Sequence, residues 1–281
     1  MQQMQIKEKK LLVGILSGVL ALCLVVLGIL LWLMREPARE PMATEPKPQL
    51  QETEPPPTKP PSVYQDVTFI KDENGFITCP EKNAVTGIDV SAFQGDINWK
   101  QVKKSGVEFV FIRVGYRGNT EGGLFEDSRA QEYYKGAKKA GLKVGAYFFS
   151  QAISALEAEQ EAWLALKQVA TWELDLPVVY DWEWVSDEAR TAGLSGEVLT
   201  DCTKTFCTVI EDAGLQSMVY FNTNQGLNLL DMTKLQDYPF WLAQYTNAID
   251  LPFEVDYWQY SCTGSVPGIK TDVDLNLYFP E

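Results

Sequence analysis

The apolar positions of this chain fall into three regimes. Residues 11–34 (LLVGILSGVLALCLVVLGILLWLM) carry no charged side chain, and as a helix such a run crosses a hydrocarbon layer of about 30 Å. The run predicts a transmembrane helix: its apolar core is too long for a cleavable signal peptide, and no small-residue cleavage site is evident. Lys7, Lys9 and Lys10 precede it and only Arg35 follows closely, a bias that puts residues 1–10 in the cytoplasm and everything beyond residue 34 outside. Residues 35–63 then lose the apolar pattern. Prolines among Glu, Thr, Gln and Lys bury no core and favour extended polyproline II, so this stretch is read as a passive linker.

From residue 64 to residue 281 the pattern is that of one folded domain. Short runs rich in Val, Ile, Tyr and Phe recur at 87–91 (GIDVS), 109–115 (FVFIRVG), 143–149 (KVGAYFF), 177–183 (PVVYDWE), 217–222 (SMVYFN), 240–245 (FWLAQY), 256–260 (DYWQY) and 272–276 (DVDLN). Among the first five lie helical patterns at 127–140, 154–169 and 195–213. Gly141 and Gly214 act as stops, and Ser154 is the N-cap of the second. Strands alternating with helices imply parallel pairing and right-handed crossovers. Eight strand candidates, the last three with little helix between them, predict an α/β fold: a modified (β/α) barrel, TIM-like, with fewer helices in its C-terminal part.

Within 178–184 (VVYDWEW), Asp181 and Glu183 are two residues apart on a strand, so they share one face with Cα atoms roughly 6–7 Å apart. Barrels work at the carboxyl ends of their strands. Asp89, Asp181, Glu183 and Asp274 fall at or near such ends on the first, fourth and last strand candidates, and closure of the barrel would gather them at one mouth. Alternation also sends half of the strand aromatics inward, as walls or as core.

Composition narrows the chemistry. The chain contains no histidine, which excludes Ser-His-Asp triads, Cys-His pairs and imidazole metal sites and leaves neutral-pH chemistry to carboxylates, Tyr, Lys or Cys. A formal net charge of -14, with no basic stretch beyond the membrane flank, argues against nucleic acid. Cys79, Cys202, Cys207 and Cys262 lack CxxC spacing and are expected as free thiols; a Cys79–Cys262 bridge would need the two ends of the domain to meet. Gly122 and Gly123 lack the continuation of a phosphate loop, and no metal or cofactor is expected.

The segments GIDVSAFQGDINWKQVKKSGVEFVFIRVGYRG (87–118), AGLKVGAYFFS (140–150), PVVYDWEW (177–184), FWLAQY (240–245) and WQYSCTGSVPGIKTDVDLNLY (258–278) resemble, in order, glycoside hydrolase family 25. The motif core is 87–278. The resemblance implies a lysozyme, an N-acetylmuramidase cutting the β-1,4 bond between N-acetylmuramic acid and N-acetylglucosamine in peptidoglycan. It also implies an active site of Asp89, Asp181, Glu183 and Asp274, with Glu183 the general acid. Tyr147, Tyr220, Gln244 and Trp241 are the expected substrate-binding residues, partly by that resemblance. Trp182, between the two acids, is expected to face the helices. Lys135, Lys138 and Lys139 read as a solvated face able to make weak contacts with acidic wall polymers. Together with the apolar run, these features predict an enzyme tethered to the outer face of a cell membrane and acting on its own envelope. The competing expectations are a non-catalytic peptidoglycan-binding anchor and a related barrel N-acetylglucosaminidase.

Overall fold

Strand alternation builds the centre of this protein. In the computed structural model, which describes residues 60–280, strand β4 (Phe109–Arg117) turns Phe109 and Phe111 into an inner aromatic cluster and Val110, Ile112 and Val114 into an outer one. β3 (Val85–Val90) precedes it; β5 (Leu124–Glu126), β6 (Lys143–Ser150), β7 (Val178–Trp182), β8 (Ser217–Asn222), β9 (Phe240–Ala243), β10 (Tyr257–Gly264) and β11 (Val273–Tyr278) follow. β3, β4 and β6 to β11 close into an eight-stranded barrel through the β3–β4 pairing, and β5 hangs on the edge of β4. β3, β4 and β6 to β10 run parallel to one another, whereas β11 runs antiparallel to both neighbours, β10 and β3. At Gly87 the barrel leaves no room for a side chain, since a Cβ would lie 2.2 Å from the Phe109 ring.

Four helices make the crossovers: α1 (Trp99–Lys104), α2 (Ala130–Ala140), α3 (Ala155–Val169) and α4 (Gly196–Asp212). Ser154 and Ser195 cap α3 and α4, their hydroxyls accepting the N–H of Glu157 and Val198. α1 lies in a crossover where the apolar pattern predicts no helix. The pattern placed the start of the next helix at Asp127, but α2 begins at Ala130. The Asp127 carboxylate is drawn off into the loop, where it accepts the N–H groups of Ala92 and Arg129.

The expected shortage of C-terminal helices is met by the N-terminal segment. Ser62, Val63 and Tyr64 bond to Ile249, Leu251 and Val255. Phe69 packs edge-on against Trp258 at 5.0 Å, and Tyr64 lies 6.2 Å from Phe279. A small hairpin of β1 (Ile70–Lys71) and β2 (Ile77–Thr78) continues this cover, with Ile77 N–H donating to the Tyr260 hydroxyl. These aromatics shield an outer barrel face that a helix covers elsewhere.

Among the described residues no helix is long and apolar enough to cross a membrane. The cytoplasmic tail at 1–10, the span at 11–34 and the linker as far as residue 59 lie outside the described residues. Cys79, Cys202, Cys207 and Cys262 are all free thiols, the first three buried and Cys262 exposed.

Candidate active site

Inward parity decides which side chains meet at the mouth. Asp89 lies near the carboxyl end of β3, Asp181 near that of β7, and Glu183 just beyond β7. Asp274 arrives differently from the expectation: it stands at the amino end of β11. Because β11 is antiparallel, that end lies at the same mouth, and Asp274 and Asp89 are register partners. The four carboxyls line one cleft of about 210 Å³, with Tyr147, Tyr220, Tyr245, Phe93, Arg113 and Gln259 among the other lining residues.

A directed hydrogen-bond network fixes Asp89 as an acceptor. Its Oδ2 receives Gln259 Nε2 at 2.9 Å and Asn276 Nδ2 at 2.8 Å. The Tyr220 and Tyr245 hydroxyls both donate to Gln259 Oε1 at 2.9 Å, and Trp241 Nε1 donates to Asn276 Oδ1 at 2.9 Å. Every donor in this chain points toward one carboxylate, the arrangement that favours its charged form. Burial opposes this and pushes the Asp89 carboxyl up to about 6, a value that the two amide donors hold down.

Its neighbours have no comparable pair of side-chain donors. Burial and the charge of Asp89 push Glu183 up to about 7, with no cation or donor to oppose them. Burial, then the charges of Asp89 and Glu183, push Asp274 up to about 9. Asp181 is also raised, by burial first and then by Glu183 and Asp89, while Arg113 pulls the other way. One Asp181 oxygen, Oδ1, is buried and accepts no hydrogen bond. Such closely packed acids titrate as a set in which charge on Asp89 keeps protons on its neighbours, with Arg113 opposing that effect at Asp181.

Arg113 is the cation of the cleft. Its Nε and Nη2 both reach Asp127 Oδ2 at 2.9 Å, and its guanidinium lies 5.1 Å from the ring centroids of Phe93 and Tyr116. Asp127 thus holds both Arg113 and the turn after Asp89.

Asp274 offers a stability test with a definite sign. A folded-state carboxyl raised from its ordinary 3.8 to about 9 contributes stability that is fully present below about pH 4 and is lost as pH rises toward 9. Asp274→Asn removes that loss. Its melting temperature at pH 8 is expected to exceed wild type by about 2–4 °C for each kcal/mol relieved, with the gap closing near pH 4. A gap that does not depend on pH would overturn the assignment of repulsion to this cluster.

The expected sugar-binding residues divide. Tyr147 and Tyr220 line the cleft. Trp241 forms its floor, 1 % exposed, stacked at 4.7 Å on Phe111, with its N–H already committed to Asn276. Gln244 does not line it. Trp241 and Ala243 point inward, so Gln244 falls on the outward parity, where its side chain donates to Thr223 Oγ1 and accepts the N–H of Asp250. Tyr245 takes the inward place instead. Trp182 faces outward into the helix layer, as expected. Arg113, Gln259 and Asn276 carried no expectation, although parity could have found Arg113: it follows Phe109 and Phe111 on the inward face of β4.

Residues 88–269 match the family model described as Glycosyl hydrolases family 25. The chain belongs to this family. It is 33% identical over 195 residues to the autolytic lysozyme of Clostridium acetobutylicum, an alignment covering 68% of this chain and 55% of that protein, so it spans little more than half of that relative's length. It is 31% identical over 208 residues to lysozyme M1 of Streptomyces globisporus, covering 70% of this chain and 69% of that one. Among solved structures, the lysozyme of Streptomyces coelicolor superposes with a TM-score of 0.60 at 28% identity, over 70% of this chain and 93% of that one. This family 25 chain thus carries its four carboxyls in a barrel shared with lysozymes.

Proposed function

We propose that this family 25 hydrolase is an N-acetylmuramidase that cuts the β-1,4 bond between N-acetylmuramic acid and N-acetylglucosamine in peptidoglycan. The observation that carries this reading is the Glu183 carboxyl, pushed up to about 7 in a cleft where Asp89 holds the stabilised charge. A carboxylic acid that keeps its proton near neutral pH is what protonation of a glycosidic oxygen requires. Glu183 gives its proton to the leaving oxygen. Asp181, whose carboxyl burial and acidic neighbours raise against the pull of Arg113, faces the anomeric carbon, where the growing positive charge favours its ionised form. Its unpartnered Oδ1 accepts the N–H of a bound acetamido group. Tyr147 and Tyr220 close the cleft around the sugar rings.

Digestion of purified peptidoglycan by the full chain is expected to create new reducing ends on muramic acid. Reducing ends on glucosamine would assign the cleft to an N-acetylglucosaminidase, and no new ends would leave a binding anchor. Because the donor must be protonated, kcat/KM is expected to fall above about pH 7, the value to which Glu183 is raised. Asp89→Asn removes the charge that holds the proton on Glu183, so its basic limb moves to lower pH. A limb that stays in place or moves up would sink this assignment.

The same reading places the enzyme at the outer face of a membrane through residues 11–34, supported by their lack of charge and by the lysines before them. Protease added to intact wall-stripped cells is expected to release a fragment containing the barrel. A barrel cut only after lysis would overturn the topology.

A further inference from the structure

On the flank of the barrel, α1 and α2 approach unusually closely. A Cβ at Gly136 of α2 would lie 2.2 Å from the indole of Trp99 on α1, so glycine is what lets the helices meet there. Trp99 in turn packs edge-on against Tyr133 at 5.6 Å. The approach leaves a groove of about 550 Å³, with Trp99 at its floor, Lys100, Lys103 and Lys104 on one wall and Lys139 on the other. Lys103 is paired with Glu108 at 2.5 Å. Lys100, Lys104 and Lys139 face no carboxylate within ion-pair distance among the described residues.

This concentration of positive charge sits on a chain whose net charge is -14. Helix dipoles favour lysines in last turns, which accounts for Lys103, Lys104 and Lys139. They do not account for Lys100, in the first turn of α1, where the dipole disfavours a cation.

We propose that this groove binds a polyanionic wall polymer: a chain of polyol or sugar units joined by phosphodiesters. The occupant rests on the envelope location proposed above; the site rests on the groove itself. Ammonium groups on both walls pair with successive phosphates, and the indole edge meets the carbon face of the intervening polyol. A concave groove with cations on two walls suits a chain, whereas a flat bilayer reaches only its rim.

The groove also leaves the cleft free. α1 ends at Lys104, just ahead of the amino end of β4, and α2 ends at Ala140, just ahead of that of β6. The cleft opens at the other end of these strands, so a polymer held by the lysines retains the enzyme at the wall without competing for the sugar site.

The test measures binding of the full chain, held in nanodiscs of neutral lipid, to immobilised poly(glycerol phosphate), to neutral dextran and to phosphatidylglycerol vesicles. The chain is expected to bind poly(glycerol phosphate) and not dextran, with affinity falling as salt rises. The triple variant K100Q/K104Q/K139Q is expected to bind about tenfold more weakly, three exposed ion pairs being worth together about one decade in Kd. A control triple outside the groove, K167Q/K204Q/K234Q, should bind as wild type. Release of reducing ends from polymer-free peptidoglycan by K100Q/K104Q/K139Q should stay at the wild-type rate, which shows that the variant is folded. E183Q should keep full polymer binding, so a failed muramidase reading and a failed groove give different results. Equal binding by wild type and the groove variant, equal binding to dextran, or capture by vesicles with none by poly(glycerol phosphate) would each overturn the proposal.

Discussion

Glu183→Gln is expected to lower kcat on peptidoglycan by about 10²–10⁴-fold, the usual contribution of a positioned general acid. The amide keeps the shape of the side chain and still donates a hydrogen bond, but it cannot release a proton to the departing oxygen. The change should therefore fall on kcat and leave KM near wild type, because the ground-state contacts survive. A chemical control follows from the same role. An aryl glycoside with an acidic phenol as leaving group needs little protonation, so E183Q should lose far less activity on it than on peptidoglycan. Folding is not at risk: removing an ionisable group that burial has already pushed up to about 7 relieves the cluster instead of breaking a bond. E183Q with kcat within about threefold of wild type would leave the cleft without a proton donor.

The four acids were legible because two signals coincided. Strand parity put Asp181 and Glu183 on one face, and the motif order supplied Asp89 and Asp274 from distant strands. The reversal of β11 was hidden: VDLN has the same apolar period in either direction, and only pairing reveals that Asp274 stands at the amino end of its strand. Gln244 failed for a related reason. A polar residue at a strand end reads as a candidate ligand until the parity of Trp241 and Ala243 shows it pointing outward.

The residues that hold Asp89 were harder to see. Gln259 and Asn276 lie on β10 and β11, each an ordinary amide in an apolar run, and their importance comes from convergence on one buried oxygen. Nothing local in the sequence encodes that convergence. The N-terminal cover has the same character: Tyr64 and Phe69 follow a proline-rich stretch, and their role is set by Phe279 and Trp258, far along the chain, against which they pack. Sequence periodicity thus placed the strands and most of the acids, while long-range pairing decided which polar groups meet.

Asp181→Asn separates charge from structure at the other central acid. Asp181 is 5 % exposed, burial and its acidic neighbours raise its carboxyl against the pull of Arg113, and its Oδ1 has no partner. The amide preserves volume and an acceptor oxygen but removes the negative charge that would face the oxocarbenium-like centre. Loss of one such preorganised electrostatic contact is expected to cost about 10²–10³-fold in kcat. Stability should move the opposite way. The Asp181 carboxyl lies well above its ordinary value, so its contribution to stability is present at acid pH and lost as pH rises, and the neutral amide escapes that loss. D181N is therefore expected to melt higher than wild type at pH 8 while turning over far more slowly. Arrays of like charge held together for function have this signature, since the fold is more stable without them. A variant that melts lower and loses activity in proportion to its unfolded fraction would assign Asp181 to packing and remove it from the chemistry.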